Sequence, residues 1–440
     1  MISILSLLVI MVGGFLAISN PAIFVLFYGL TASSTDAYGI SNFLSSGFGQ
    51  YSFIMQLFLV IALLVSVYNN RFIEKKLFAL VTIYFFMCLW IAIVLFQKSF
   101  TSDMFYIGTL NVWLEQMSPI YLIILLLNRK QVDIRKLFII YVSVHVVLAF
   151  LVIYLPLAGV KALNVIKSIN YLNDTTSIYD SGVASINNFT QLFSNKYVFN
   201  QLAYFHNSND TGFFGGVGAV VGIINFFNGK NKRSKVLWGA LTVCAVLLWF
   251  NSGMKGSVVG IVAGLILYWY IKKKNTLGVL IRIWVIIVLF CLIFFGSDFV
   301  NIVIEGLFNK ATSLGNSLQT RILKREAGFK FIFNNPIWGS GASFDGLLSN
   351  KIDPHELPLR FAVLFGIPAG ILSLVLYYVI PIIFFRKKIH NESVTELNCI
   401  LLMIFFAVTL TNNYTDIVLA MFVLYEACFT TGSETVMVRR

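Results

Sequence analysis

Charge is scarce in this sequence. Charged residues make up 12% of its 440 positions and hydrophobic ones 58%, where a soluble domain has about 25% and roughly 45–50%. This deficit excludes a water-facing globule and a disordered chain. Histidine is rarer still, with four residues. There is no H-E-x-x-H, no paired C-x-x-C, no P-loop and no G-x-S-x-G. Nor is there an acidic pair spaced like the D-x-D of metal-dependent glycosyltransferases. No metal site and no cofactor motif is therefore expected. The five cysteines, Cys88, Cys244, Cys291, Cys399 and Cys428, all lie in or beside apolar runs, which argues against a disulfide framework. No basic residue precedes the first apolar run and no clear small-residue cleavage site follows it, so that run is expected to be retained.

Cations outnumber acids, 32 to 19, for a net charge of +13. A basic stripe on one face would suit nucleic acid, but these residues sit in short clusters between long apolar runs. That arrangement excludes nucleic acid as the expected partner and marks a polytopic membrane protein. Runs suited to spanning lie near 2–19 (continuing to 30 past Asn20-Pro21), 52–69, 77–96, 109–127, 137–157, 209–227, 236–250, 256–271, 278–296, 361–385, 397–411 and 415–431. The Asn20-Pro21 pair leaves two readings of the first run, a kinked helix or a helix plus a re-entrant piece. The basic clusters are Arg71/Lys75/Lys76, Arg129/Lys130/Arg135/Lys136, Lys230/Lys232/Arg233/Lys235, Lys272/Lys273/Lys274, Arg386/Lys387/Lys388 and Arg439/Arg440. Two predicted spans separate each cluster from the next. The positive-inside rule is then met by all of them, with both termini in the cytoplasm. The expected fold is an all-α integral membrane protein, one polytopic bundle of about 12 transmembrane helices. Its two long outer loops cover 158–208 and 297–360.

Chemistry is expected in those loops. The most informative stretch is 317–360, where Ser317 can cap a helix running to about Phe333. Arg321, Lys324 and Arg325 share one face of it at i, i+3 and i+4, with only Glu326 nearby in sequence. Such a cluster on the outer side suits a phosphate or pyrophosphate, or else anionic lipid headgroups. A stop at Asn334-Asn335-Pro336 and a Gly339-Ser340-Gly341 turn follow, and a glycine turn lets backbone approach a ligand closely. His355 ends the loop; it could hydrogen-bond a phosphate or sugar, take a proton, or have no role beyond the surface. Lys255, alone in the hairpin 251–257, is either held by an anion or snorkels to the interface. The polar stretch 205–212, with Asn207, Asn209 and Asp210, suits sugar hydroxyls or simple helix capping. Glu115 lies in the outer third of a predicted span and is a functional candidate by default. His145, Asp416 and Glu426 are weaker candidates that could pair within the bundle, and Arg282 is expected to snorkel.

Three pieces together resemble the O-antigen polymerase and O-antigen ligase superfamily. The stretch 205–222 is similar to its Asn-x-Asn entry into a span. The stretch 251–264 is similar to its S-R-G hairpin, with Lys255 where arginine is usual. The stretch 319–372 is similar to its arginine-bearing helix, N-P-x-x-G-x-G turn, loop histidine and following span with Phe365-Gly366-Ile367. The first outer loop, however, has no arginine, and neither Arg321 nor Arg325 fits the Arg-x10-Gly pattern of some polymerases. The resemblance implies a GT-C-like membrane glycosyltransferase of the bacterial inner membrane that needs no metal or other cofactor. It would join undecaprenyl-pyrophosphate-linked oligosaccharides into a surface polysaccharide at the periplasmic face. It would work among membrane lipids, beside a chain-length regulator and a flippase of the same pathway. Arg321 and Arg325 would carry catalysis with His355, while Lys255, Lys324, Asn207, Asn209, Asp210 and Glu115 would bind substrate. Two alternatives stay open: a ligase moving the finished glycan to lipid A-core, and a flippase for lipid-linked oligosaccharides.

Overall fold

The computed structural model describes residues 2–32, 44, 51–70, 75–101, 119–157, 208–229, 231–252, 254–273, 313–341, 356–391, 393–411 and 416–430. Among the described residues every regular element is helical. In a lipid phase the backbone must satisfy its own hydrogen bonds, and helices made of leucine, isoleucine, valine and phenylalanine do so within one segment. Among the described residues five helices are long and apolar enough to cross a membrane: Leu77–Gln97, Ile134–Leu151, Asp210–Asn228, Lys232–Phe250 and Leu357–His390. Shorter apolar helices fall on the other predicted spans, except 278–296, which lies outside the described residues along with Arg282. The expected run 415–431 contains a helix of 12 residues, Ile417–Cys428, closed at both ends by the Asp416 and Phe429 caps. At about 1.5 Å per residue it rises roughly 18 Å, short of the roughly 30 Å hydrocarbon layer.

The chain divides into two compact units. The first contains α1 (Ile2–Ser19), α2 (Pro21–Thr31) and α3 (Tyr51–Asn69), and the start of α4 (Lys75–Thr101). It continues with α5 (Pro119–Asn128), α6 (Ile134–Leu157), α7 (Ser208–Asn228), α8 (Lys232–Ser252), the start of α9 (Lys255–Lys273) and, from later in the chain, α14 (Ile417–Cys428). Asn20-Pro21 breaks the first run, and the Asn20 carboxamide caps α2 by accepting from the Ile23 N–H. The broken run therefore yields two helices packed on each other. Every residue of α5 is buried, and so is every residue of α14 from Val418 to Cys428. By contrast, Ile4, Leu8, Met11, Phe15 and Ile18 of α1 are exposed, an apolar face of the kind lipid covers. Helices α7 and α8 pack at backbone distance: a Cβ on Gly215 would lie 2.7 Å from the Trp249 nitrogen. Small residues at such contacts let van der Waals packing replace the hydrophobic drive that lipid removes.

The second unit contains α4 from Thr82, α9 from Val259, α10 (Ser313–Asn334), α11 (Leu357–Leu374), α12 (Ile380–His390) and α13 (Glu396–Thr411). A π turn at Val375–Val379 joins α11 to α12. Gly260 and Gly264 of α9 form a G-x-x-x-G step that seats directly on the α13 backbone. Cβ atoms there would lie 2.4 Å and 2.3 Å from the Cα atoms of Ile404 and Ile400.

Candidate functional site

The expected arginine helix is α10, which begins at Ser313 rather than Ser317. Lys324, half-buried, and Arg325, exposed, are consecutive residues on it. Arg321 occupies the same helix, its side chain lying outside the described residues. Glu326 is not the only acid within reach. Arg325 ion-pairs with Glu356, 31 residues further on, with its Nε donating to Oε1 at 2.6 Å and a terminal nitrogen donating to the same oxygen. Glu356 is the N-cap residue of α11, but its carboxylate makes no capping bond within its own helix. One turn on stands Arg360, buried at 4% exposure with its N–H bonded to the Glu356 carbonyl at 2.9 Å. Sequence reasoning missed Arg360. Its signal was present: one arginine at the start of an otherwise apolar run, where an ionisable group is a functional candidate by default.

The glycine turn after α10 approaches protein backbone. Helix α11 is broken at Gly366, whose φ of 81° and ψ of 171° suit glycine alone. In an unbroken helix the Val363 carbonyl would accept from Ile367, and the Leu364 carbonyl from residue 368, which is proline without an N–H. Here Ser340 N donates to Val363 O at 2.9 Å and Gly341 N to Leu364 O at 2.8 Å. The Trp90 indole N–H donates to Phe365 O at 2.8 Å, and Ile367 N donates back to Pro336 O at 2.8 Å. Trp90 and Trp338 stack with centroids 5.8 Å apart. Gly339 and Gly341 have φ of 58° and 72°. The turn thus supplies the donors that the break in α11 leaves wanting, and two separate motif pieces, 335–341 and 363–367, interlock.

In the first unit the other two motif pieces also meet. A Cβ on Gly212 of α7 would lie 2.3 Å from Met254 Cβ and 2.4 Å from Ser252 Oγ in the hairpin after α8. Trp249 Nε1 donates to Ser257 Oγ at 2.8 Å, and Ser257 Oγ donates to Gly212 O at 3.4 Å. Asp210, in the first turn of α7, is buried and caps no part of its own helix through a described bond. Its Oδ1 accepts from the Asp416 backbone N–H at 2.8 Å. The Asp416 carboxylate caps α14 through Leu419 N at 2.6 Å and accepts from the Tyr141 hydroxyl at 3.1 Å. His145 lies edge-on to Tyr141, centroids 4.6 Å apart. Glu426 pairs with Arg135 at 3.6 Å. The intramembrane candidates Asp416 and Glu426 thus pair within the bundle.

Lys255 opens α9 and Asn209 is the second residue of α7 in this unit; their side chains lie outside the described residues, as do Asn207, Glu115 and His355 entirely. Among the described residues no group of three or more metal-ligating side chains occurs. No protein-family model matches the chain, and no curated protein or solved structure matches it either.

Proposed function

We propose that this chain is a polytopic membrane glycosyltransferase. It would polymerise undecaprenyl-pyrophosphate-linked oligosaccharide repeats into O-antigen or a related surface polysaccharide at the periplasmic face of the bacterial inner membrane. The observation that carries this reading is that Arg325, through Glu356, and buried Arg360 both stand at the N-terminal end of α11. That end of the helix also carries the partial positive charge of its unsatisfied N–H groups. Polymerisation breaks the bond between the donor's anomeric carbon and the pyrophosphate oxygen. An acceptor hydroxyl forms the new glycosidic bond, and its proton passes to a base or to water. Negative charge grows on the departing pyrophosphate, and preorganised cations stabilise it. In this reading Arg321 faces that diphosphate, and His355 orients it or accepts the proton. This reading takes the about 12 spans from the apolar runs and the cytoplasmic termini from the basic clusters.

A second reading, a flippase for lipid-linked oligosaccharides, draws on the buried Asp210–Asp416–Tyr141–His145 group, since ionisable side chains inside a bundle often line transport paths. The surface glycan of a deletion strain separates the two. Core carrying a single repeat unit identifies a polymerase. Core with no repeat points to the flippase or to a ligase.

A further inference from the structure

A cavity of about 580 Å³ opens between the middle of α6 and the start of α8, within the first unit. Its polar end holds Arg233 and Ser234, with the Trp238 indole beside them, and its far end is apolar, walled by Val147, Leu241 and Cys244. Lys232, Arg233 and Lys235 are exposed and crowd the first turn of α8, which contains no acidic residue. A helix N-terminus carries partial positive charge, so cations there are unfavourable unless an anion joins them. Among the described residues Arg233 forms no ion pair and the Trp238 indole N–H no hydrogen bond. The distance from Arg233 to Cys244 along α8 is roughly 16 Å at 1.5 Å per residue. That is about half the roughly 30 Å hydrocarbon layer, the depth that one acyl chain fills.

The geometry points to a binding site for one anionic glycerophospholipid, its phosphate on Arg233 and one acyl chain along the α6–α8 cavity. Charge complementarity selects the headgroup, and basic pockets between membrane helices on the cytoplasmic side suit such lipids. The apolar wall, as deep as one leaflet, selects a lipid over a free phosphate. The site does not depend on the proposed polymerase activity.

Full-length protein exchanged into nanodiscs of phosphatidylcholine with a minor share of phosphatidylglycerol tests this. Native mass spectrometry on release should show one retained phosphatidylglycerol. Arg233→Glu should lower that retention by roughly tenfold or more. Ala240→Phe, which fills the cavity wall without touching a charge, should lower it comparably while leaving the helical circular dichroism unchanged. Equal retention of the two lipids by the wild type would overturn the proposal. So would full retention by both variants, or a loss caused by Lys232→Glu and Lys235→Glu but not by Arg233→Glu, which would indicate diffuse surface charge. Displacement of the lipid by inorganic phosphate alone would also overturn it, because the acyl chain would then contribute nothing.

Discussion

At the scale of single residues, Arg325 is the sharpest test of the proposed chemistry, because its pairing with Glu356 offers a purely structural role as well. Arg325 is half exposed, its side chain at 53%, and an exposed ion pair contributes at most about 1 kcal/mol. Arg325→Ala should therefore leave membrane levels near normal. Loss of a charge-assisted contact to the leaving pyrophosphate should lower polymer formation about a hundredfold or more. Arg325→Lys should recover only part, since the guanidinium fork is gone. The charge-swapped pair Arg325→Glu with Glu356→Arg should restore the α10–α11 tie but not polymer synthesis in a membrane assay with lipid-linked repeats. Wild-type polymer from the swapped protein would mean that the pair is only a brace. Asp416 makes the opposite case, a buried residue whose carboxylate caps a helix and accepts from a buried hydroxyl. Asp416→Ala removes the cap of α14 and the acceptor for Tyr141. It should cost about 2–4 kcal/mol, from about 1 for a cap and about 1–3 for disturbed buried polar groups. Asp416→Asn keeps a capping oxygen and should cost less. The unfolding midpoints in detergent of these two variants, measured side by side, decide it.

At the scale of elements, the break in α11 is what the 335–341 turn is fastened to. A Cβ on Gly366 would lie 1.8 Å from the Ile337 carbonyl oxygen, and the glycine-only φ/ψ adds about 1–3 kcal/mol of strain. Gly366→Ala should therefore expel the 335–341 turn and unstack Trp90 from Trp338. The expected signature is a red-shifted tryptophan fluorescence and faster proteolysis after α10; an unchanged spectrum would show that the turn is held by other means. The same element shows what a sequence reveals. The helices themselves were legible, because apolar runs and Asn20-Pro21 are local signals. The helix that carries Lys324 and Arg325 was legible from its cap and its length, although it starts at Ser313 rather than Ser317. Glu356 as the partner of Arg325 was not, because ion pairing between segments leaves no periodicity. Nor was the role of the glycine turn: the Gly366-Ile367-Pro368 step reads as a tolerated irregularity in an apolar run. Its satisfying donors come from Ser340 and Gly341 in another segment, and from Trp90, 275 residues before Phe365.

At the scale of the whole molecule, topology decides whether any of this can be periplasmic chemistry. Moving one lysine or arginine through the hydrocarbon centre costs about 2.5–3.5 kcal/mol on insertion scales. A cluster such as Lys230, Lys232, Arg233 and Lys235 thus resists translocation by on the order of 10 kcal/mol. The six clusters, each two predicted spans apart, all favour one orientation. With the predicted span at 278–296, that orientation would put α10, itself bearing Lys324, Arg325 and Lys330, on the other side. The cations of α10 are then the exception to the rule, and an exception is informative only if the side is right. In a cysteine-free background, Gln131→Cys, Lys330→Cys and His390→Cys place an accessible thiol at three exposed positions. A membrane-impermeant maleimide applied to intact spheroplasts should label Lys330→Cys alone. The other two should react only after permeabilisation. If Lys330→Cys also required permeabilisation, α10 would be cytoplasmic and its cations would be ordinary positive-inside residues. The pyrophosphate reading of Arg325 would then fall. If Gln131→Cys reacted on intact cells, the span count before α6 would be odd rather than even. The α10 assignment would then be fixed by its own label.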